Sequence, residues 1–160
     1  MWRVMTVLPL LMVLACTACS SDSVPVVTEF CARAELVYRD QTLCGSVERS
    51  SINGTAVTFS EPFYENTLRV RWNGAELITQ LGDETLVLKD SLPLSAPRLL
   101  HEVYERIADD KQHGIALSGE VDGCCYRCEY DDSTGLPVSV TFSDIPLIVR
   151  FSNVICLSET

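Results

Sequence analysis

The stretch "CCYRCEYDDSTGLPVSVTF" (Cys124–Phe142) indicates how the rest of the chain folds. Apolar and polar residues alternate on both sides of the turn-forming run "DDSTG", and this is the period of half-buried strands. The stretch therefore predicts a β-hairpin with one buried face and one exposed face. The predicted buried face of its first strand carries Cys124, Tyr126, Cys128 and Tyr130.

The alternation argues against metal or redox chemistry at the Cys-x-x-Cys pair of this strand. Cys125 and Cys128 point to opposite sides of an extended chain, whereas a zinc knuckle directs both sulfurs to one metal. Cys124 and Cys128 share a face but stand about 13 Å apart along the strand, beyond disulfide reach. A thioredoxin-like motif needs a helix directly after the strand, and none is predicted. We interpret Cys124 and Cys128 as small core residues, and we predict no metal site and no cofactor.

The six cysteines that follow Cys19 leave the disulfide state open. Extracytoplasmic chains often oxidise their cysteines, whereas an anaerobic source would leave them as thiols. A hairpin that turns near Asp40-Gln41 puts Cys31 and Cys44 out of register, so we expect that pair not to bond. The six are Cys31, Cys44, Cys124, Cys125, Cys128 and Cys156.

The same alternation continues through most of the chain after residue 28. Asn53-Gly54 and Asn73-Gly74 are strong signals for two-residue hairpin turns, because both central positions tolerate a positive φ angle. Nine or ten short strands joined by tight turns predict a long antiparallel meander.

One segment, "SAPRLLHEVYERIADDKQHG" (95–114), has the period of an amphipathic helix, predicted over about 96–111 with Ser95 as its N-cap. We predict a mainly β (α+β) fold in which the meander curves into a half-barrel and the helix packs on its concave face. The apolar side chains of that face either fill an ordinary core or leave a cavity for an apolar ligand. The candidate ligand-binding residues are Tyr38, Trp72, Leu100, Tyr104 and Phe142.

The first residues predict export. The apolar run near the N-terminus is too short for a bilayer core of about 30 Å and fits a signal peptide. The run ends in "VLAC", which looks like a bacterial lipobox with Cys16 as the lipid-modified residue. Cys19 is the competing lipid site, and secretion after cleavage near Ala18 is the alternative without lipid. The predicted organisation is a signal peptide over 1–15, a polar linker over 16–28 and a single domain over 29–160.

Charge and motifs exclude several classes of function. The net charge is −10 and the basic residues are scattered, so nucleic acid is not expected as a partner. No catalytic motif is found, and both His101 and His113 are predicted to be solvated surface residues. We therefore predict a non-enzymatic protein.

The signal peptide, the lipobox, the meander and the single helix together resemble a known group of proteins. They are similar to small extracytoplasmic lipoproteins of Gram-positive bacteria related to the LolA/LppX/RseB-like half-barrel superfamily. The hairpin Tyr130–Pro137 is the most specific local match. The resemblance implies a lipoprotein on the outer face of the cell membrane that binds a lipid or an envelope protein. The alternatives are an envelope sensor or interaction domain with a packed core, and an extracytoplasmic enzyme with a dispersed site.

Overall fold

The computed structural model describes residues 24–61, 67–89, 95–110 and 117–157. The predicted signal peptide, Cys16, Cys19 and His113 lie outside the described residues. Within those four ranges, no helix has the length and apolar character that spanning a bilayer requires.

The described residues form ten strands and one helix. In chain order they are β1 (Phe30–Tyr38), β2 (Gln41–Ser50), β3 (Gly54–Glu61), β4 (Leu68–Trp72), β5 (Glu76–Leu81), β6 (Glu84–Lys89), α1 (Ala96–Asp110), β7 (Ser118–Val121), β8 (Cys124–Tyr130), β9 (Pro137–Phe142) and β10 (Leu147–Cys156). The strands make one curved, open antiparallel sheet in the order β6-β5-β4-β3-β2-β1-β10-β9-β8-β7. This architecture confirms the predicted mainly β fold with one helix.

The meander is built in two parts, β1–β6 and β7–β10, which join where the last strand pairs with the first. Phe30 lies opposite Cys156, and Tyr38 lies opposite Leu147. The first and last strands therefore occupy the middle of the sheet, a pairing that local periodicity did not predict. Helix α1 connects the two parts along the chain and contacts β3 and β4 on one side and β7 on the other.

The β8–β9 hairpin has the faces that its sequence predicts. Cys124 and Cys128 are buried, and Cys125 is exposed. In the β1–β2 hairpin, Cys31 faces Glu48 rather than Cys44, which confirms that these two cysteines are out of register. Among the described residues, the cysteines are free thiols.

The domain includes part of the predicted linker. Val26 and Thr28 are buried, and the Val27 N–H donates a hydrogen bond of 2.8 Å to the Gly135 carbonyl in the β8–β9 turn. Gly135 has a φ angle of +67°, which glycine adopts without strain. A Cβ atom at this position would stand only 2.3 Å from the Pro25 carbonyl oxygen. Residues 24–28 therefore belong to the packed domain.

The core lies between α1 and the sheet. The ring of Tyr104 meets the ring of Phe30 edge-on at 5.1 Å, and Phe30 meets Phe151 in the same way at 5.3 Å. Complete burial of a large apolar side chain stabilises a fold by about 1.5–3 kcal/mol, so this stripe holds the helix on the sheet. The fully buried side chains of the stripe are Leu99, Leu100, Val103, Tyr104 and Ile107.

The start of the helix differs from its prediction in one detail. The Ser95 carbonyl accepts the Leu99 N–H at 3.0 Å, as the residue before a helix should. Its hydroxyl is buried without a hydrogen-bond partner among the described residues. Ser95 thus occupies the N-cap position without capping through its side chain.

Candidate functional site

The predicted ligand-binding residues do not all lie together. Leu100 and Tyr104 have no exposed surface, and Phe142 is 3% exposed; all three belong to the core between α1 and the sheet. Trp72 is 8% exposed and lies beneath the guanidinium of Arg98, which is 5.1 Å from the centre of its ring. Tyr38 is 42% exposed, at the far end of β1. The structure thus brings three of the five residues into one cluster.

A buried arginine lies at the edge of this cluster. Arg49 is 1% exposed, on the inward face of β2, between Phe30 of β1 and Thr55 of β3. Its guanidinium pairs with Glu105 of α1, and it lies 3.6 Å from a carboxylate oxygen of Glu29. Its Nε has no hydrogen-bond partner among the described residues.

The sequence contains a signal for this arginine. In "SVERS", alternation places Arg49 on the same inward face as Val47. A charged residue at an apolar-face position is rarely buried without a partner, so it marks a site that a second element must complete. Helix α1 supplies that partner.

Two tyrosine hydroxyls form the polar part of the site. The hydroxyls of Tyr104 and Tyr130 are buried, and neither has a hydrogen-bond partner within the described part of the chain. Burial raises the pKa of both phenols. Tyr130 and then Cys128 raise the pKa of Tyr104 further, and Cys128 and then Tyr126 raise the pKa of Tyr130. Burial also raises the pKa of the Cys128 thiol to about 12. All three groups are therefore neutral hydrogen-bond donors at physiological pH.

His101 lies beside this cluster rather than in solvent. Its ring is half-buried, and Nδ1 is 3.4 Å from the Thr55 hydroxyl. Burial lowers the pKa of the imidazole, and the positive charge of Arg49 lowers it further, against the opposing effect of Glu105 and Glu102. The prediction of a solvated surface histidine is wrong, because the helix turns this residue toward β3.

Polar contacts attach the other side of α1 to the second part of the sheet. Arg98 binds Glu102 at 2.9 Å and Asp122 at 2.8 Å, and Arg106 donates to the Glu120 carbonyl at 2.9 Å. The groove along this side is acidic and has a volume of about 500 Å³. Its lining includes Glu102, Glu105, Asp109, Glu120 and Asp122.

Elsewhere the outward face of the sheet carries an open depression of about 670 Å³, lined by hydroxyl-bearing side chains together with Arg33 and Glu35. In the four described ranges, no group of three His, Cys, Asp or Glu side chains is placed to hold a metal ion.

The described residues thus form a curved antiparallel sheet with helix α1 over a mostly apolar face. No protein-family model matches the chain, and no curated protein matches its sequence.

Proposed function

We propose that this protein is a non-enzymatic extracytoplasmic lipoprotein that holds an amphiphile, a lipid or a molecule resembling one, between α1 and the sheet. The apolar run and "VLAC" at the N-terminus support export and lipid attachment at Cys16. Attached acyl chains provide membrane affinity without a spanning helix.

The unpaired tyrosine hydroxyls carry the ligand part of the proposal. A buried hydroxyl without a partner costs about 1–3 kcal/mol, and native cores contain few of them. With the partners that the described residues offer, Tyr104 and Tyr130 both bear this cost in a core that is otherwise largely apolar. A ligand with a hydrogen-bond acceptor and an apolar chain would satisfy the hydroxyls and would suit the surrounding side chains.

Binding requires α1 to move away from the sheet, because its apolar stripe is fully buried. The polar contacts that resist this movement lie on both sides of the helix. Arg49 holds Glu105 on one side, and Asp122 holds Arg98 on the other. The ligand must offset the loss of some of these contacts.

The same burial favours a second candidate, a packed interaction domain with no internal ligand. In that case the domain acts through its surface, and the two hydroxyls are satisfied by ordered water. The two candidates differ in whether lipid occupies the protein when it is isolated.

Native mass spectrometry of the full-length protein from its own membrane fraction separates these candidates. We expect a lipid adduct in addition to the covalent anchor, with lower occupancy in Tyr104→Phe and unchanged occupancy in Tyr38→Phe. A mass with no adduct, together with no uptake of added phospholipid, would leave only the packed interaction domain.

The anchor has its own test. We expect Cys16→Ala to move the protein from the membrane fraction to the soluble fraction. Palmitate labelling that persists in this variant would transfer the anchor to Cys19.

A further inference from the structure

Six large apolar side chains are exposed among the described residues; four of them lie at one end of the sheet and two at the other. Ile52 is 89% exposed and Ile155 is 67% exposed, and Val24 and Val138 are also exposed. All four lie at the end of the sheet where β1 begins. We call this the N-terminal end and define it as residues 24–29, 51–53, 131–138 and 155–157.

Hydrogen bonds to Glu29 hold the β2–β3 turn and the end of β10 beside the start of β1. The Ser51 N–H donates to the Glu29 carboxylate at 2.8 Å, and the Leu157 N–H donates to the Glu29 backbone carbonyl at 3.0 Å. The β2–β3 turn that carries Ile52 and the end of β10 that carries Ile155 are thereby fixed on either side of the start of β1.

Contacts at Gly135 hold residues 24–27 against the β8–β9 turn. The Val27 N–H binds the Gly135 carbonyl, and the side chain of Val24 packs beside Gly135. Val138 follows this turn at the beginning of β9. The four apolar side chains therefore border one end of the sheet, to which their segments are hydrogen-bonded or packed.

The length of chain before the described domain limits what can cover this end. Seven residues, 17–23, separate Cys16 from Val24. An extended chain advances about 3.5 Å per residue, so Val24 lies within about 28 Å of a lipid-modified Cys16. Because residues 24–28 are packed on the sheet, the connection enters the domain at the N-terminal end.

We propose that the N-terminal end contacts the bilayer of the protein's own membrane through Val24, Ile52, Val138 and Ile155. This proposal rests on the lipid attachment that the proposed function assigns to Cys16. It fixes the orientation of the domain, so that the β1–β2 and β9–β10 turns point away from the membrane, toward other envelope components.

Apolar contact, not charge, drives this association. The chain has a net charge of −10, and Asp131 and Asp132 lie in the β8–β9 turn at the same end. Anionic headgroups repel these carboxylates, whereas aliphatic side chains enter the interfacial region of any bilayer. The contact is therefore stronger on phosphatidylcholine than on phosphatidylglycerol, and added salt reduces the difference.

The test uses the full-length lipoprotein in phosphatidylcholine vesicles that contain lipids brominated on the acyl chain near the headgroup. Ile52→Trp places a second tryptophan, besides Trp72, at the N-terminal end, and the quenching of the wild-type protein is subtracted from that of each variant. Leu81→Trp is the matched control, because Leu81 is an exposed aliphatic residue at the opposite end of its strand, beside the β5–β6 turn. Thermal unfolding verifies that both variants keep the fold.

We expect bromine to quench the Ile52→Trp signal at least about twofold more than the Leu81→Trp signal. Equal quenching of the two variants, or none, in a protein with an intact lipid anchor overturns the proposed orientation alone. A mass without a diacylglyceryl group at either Cys16 or Cys19 overturns the anchor of the proposed function and this orientation with it.

Discussion

Replacing Tyr104 with phenylalanine removes only its hydroxyl, which has no hydrogen-bond partner among the described residues. The ring keeps its edge-on contacts with Phe30 at 5.1 Å and with Phe151 at 6.4 Å. An unsatisfied buried hydroxyl costs about 1–3 kcal/mol, so we expect Tyr104→Phe to stabilise the ligand-free domain by about 1 kcal/mol. For a domain of this size, that corresponds to a rise in melting temperature of about 4 °C.

The measurement is urea and thermal unfolding of delipidated protein, followed by circular dichroism. Tyr38→Phe is the control, because its hydroxyl belongs to an exposed ring and its removal should change stability by less than about 0.5 kcal/mol. With ligand present the sign should reverse, since a ligand that bonds the Tyr104 hydroxyl stabilises the wild-type protein more than the variant. A loss of 1 kcal/mol or more in the ligand-free Tyr104→Phe protein would instead reveal that this hydroxyl makes a hydrogen bond inside the free domain.

Three further perturbations test the fold around the site. The pKa of His101 is lowered in the folded state by burial and then by a nearby guanidinium, so its contribution to stability is lost as the pH falls from neutrality through the folded-state pKa. The free energy of unfolding should therefore differ less between pH 7.5 and pH 5.5 in His101→Gln than in the wild-type protein. Gly135→Ala combines a positive φ angle with a clash against the Pro25 carbonyl and should lower the free energy of unfolding in urea by at least about 2 kcal/mol. Gly123→Ala has a positive φ angle but open space around it and should cost about 1 kcal/mol. Equal losses would contradict the packing of residues 24–28. Cys128→Ser should cost about 1–3 kcal/mol and Cys125→Ser should be neutral, and the reverse order would contradict the assignment of the strand faces.

Periodicity in the sequence predicted the local features of this fold because burial alternates with the geometry of each element. The hairpin from Cys124 and the helix from Ala96 are both of this kind. Strand order does not follow from this local pattern, since a strand with alternating burial can pair with any other strand of suitable length. The pairing of Phe30 with Cys156 depends on contacts between distant parts of the chain, and no local pattern encodes it.

The candidate site was predicted only in its apolar part for the same reason. A hydrophobic stripe identifies Leu100 and Tyr104 as core residues without revealing which polar groups end up beside them. Tyr130 comes from β8 and Arg49 from β2, and α1 covers the core between them. Only their arrangement in space reveals that hydroxyls and a guanidinium share this core.

Arg49 links the proposed ligand site to the proposed membrane contact. The apolar stripe holds α1 on the sheet, and the pair between the buried guanidinium and Glu105 adds a polar contact that specifies the position of the helix. The same guanidinium lies 3.6 Å from the carboxylate of Glu29, which also accepts the Ser51 N–H at the N-terminal end. Movement of α1 away from the sheet would separate Glu105 from Arg49, and of these two carboxylates Glu29 would then be the one still beside the guanidinium. The proposed opening of the helix would therefore be coupled to the N-terminal end through one buried charge.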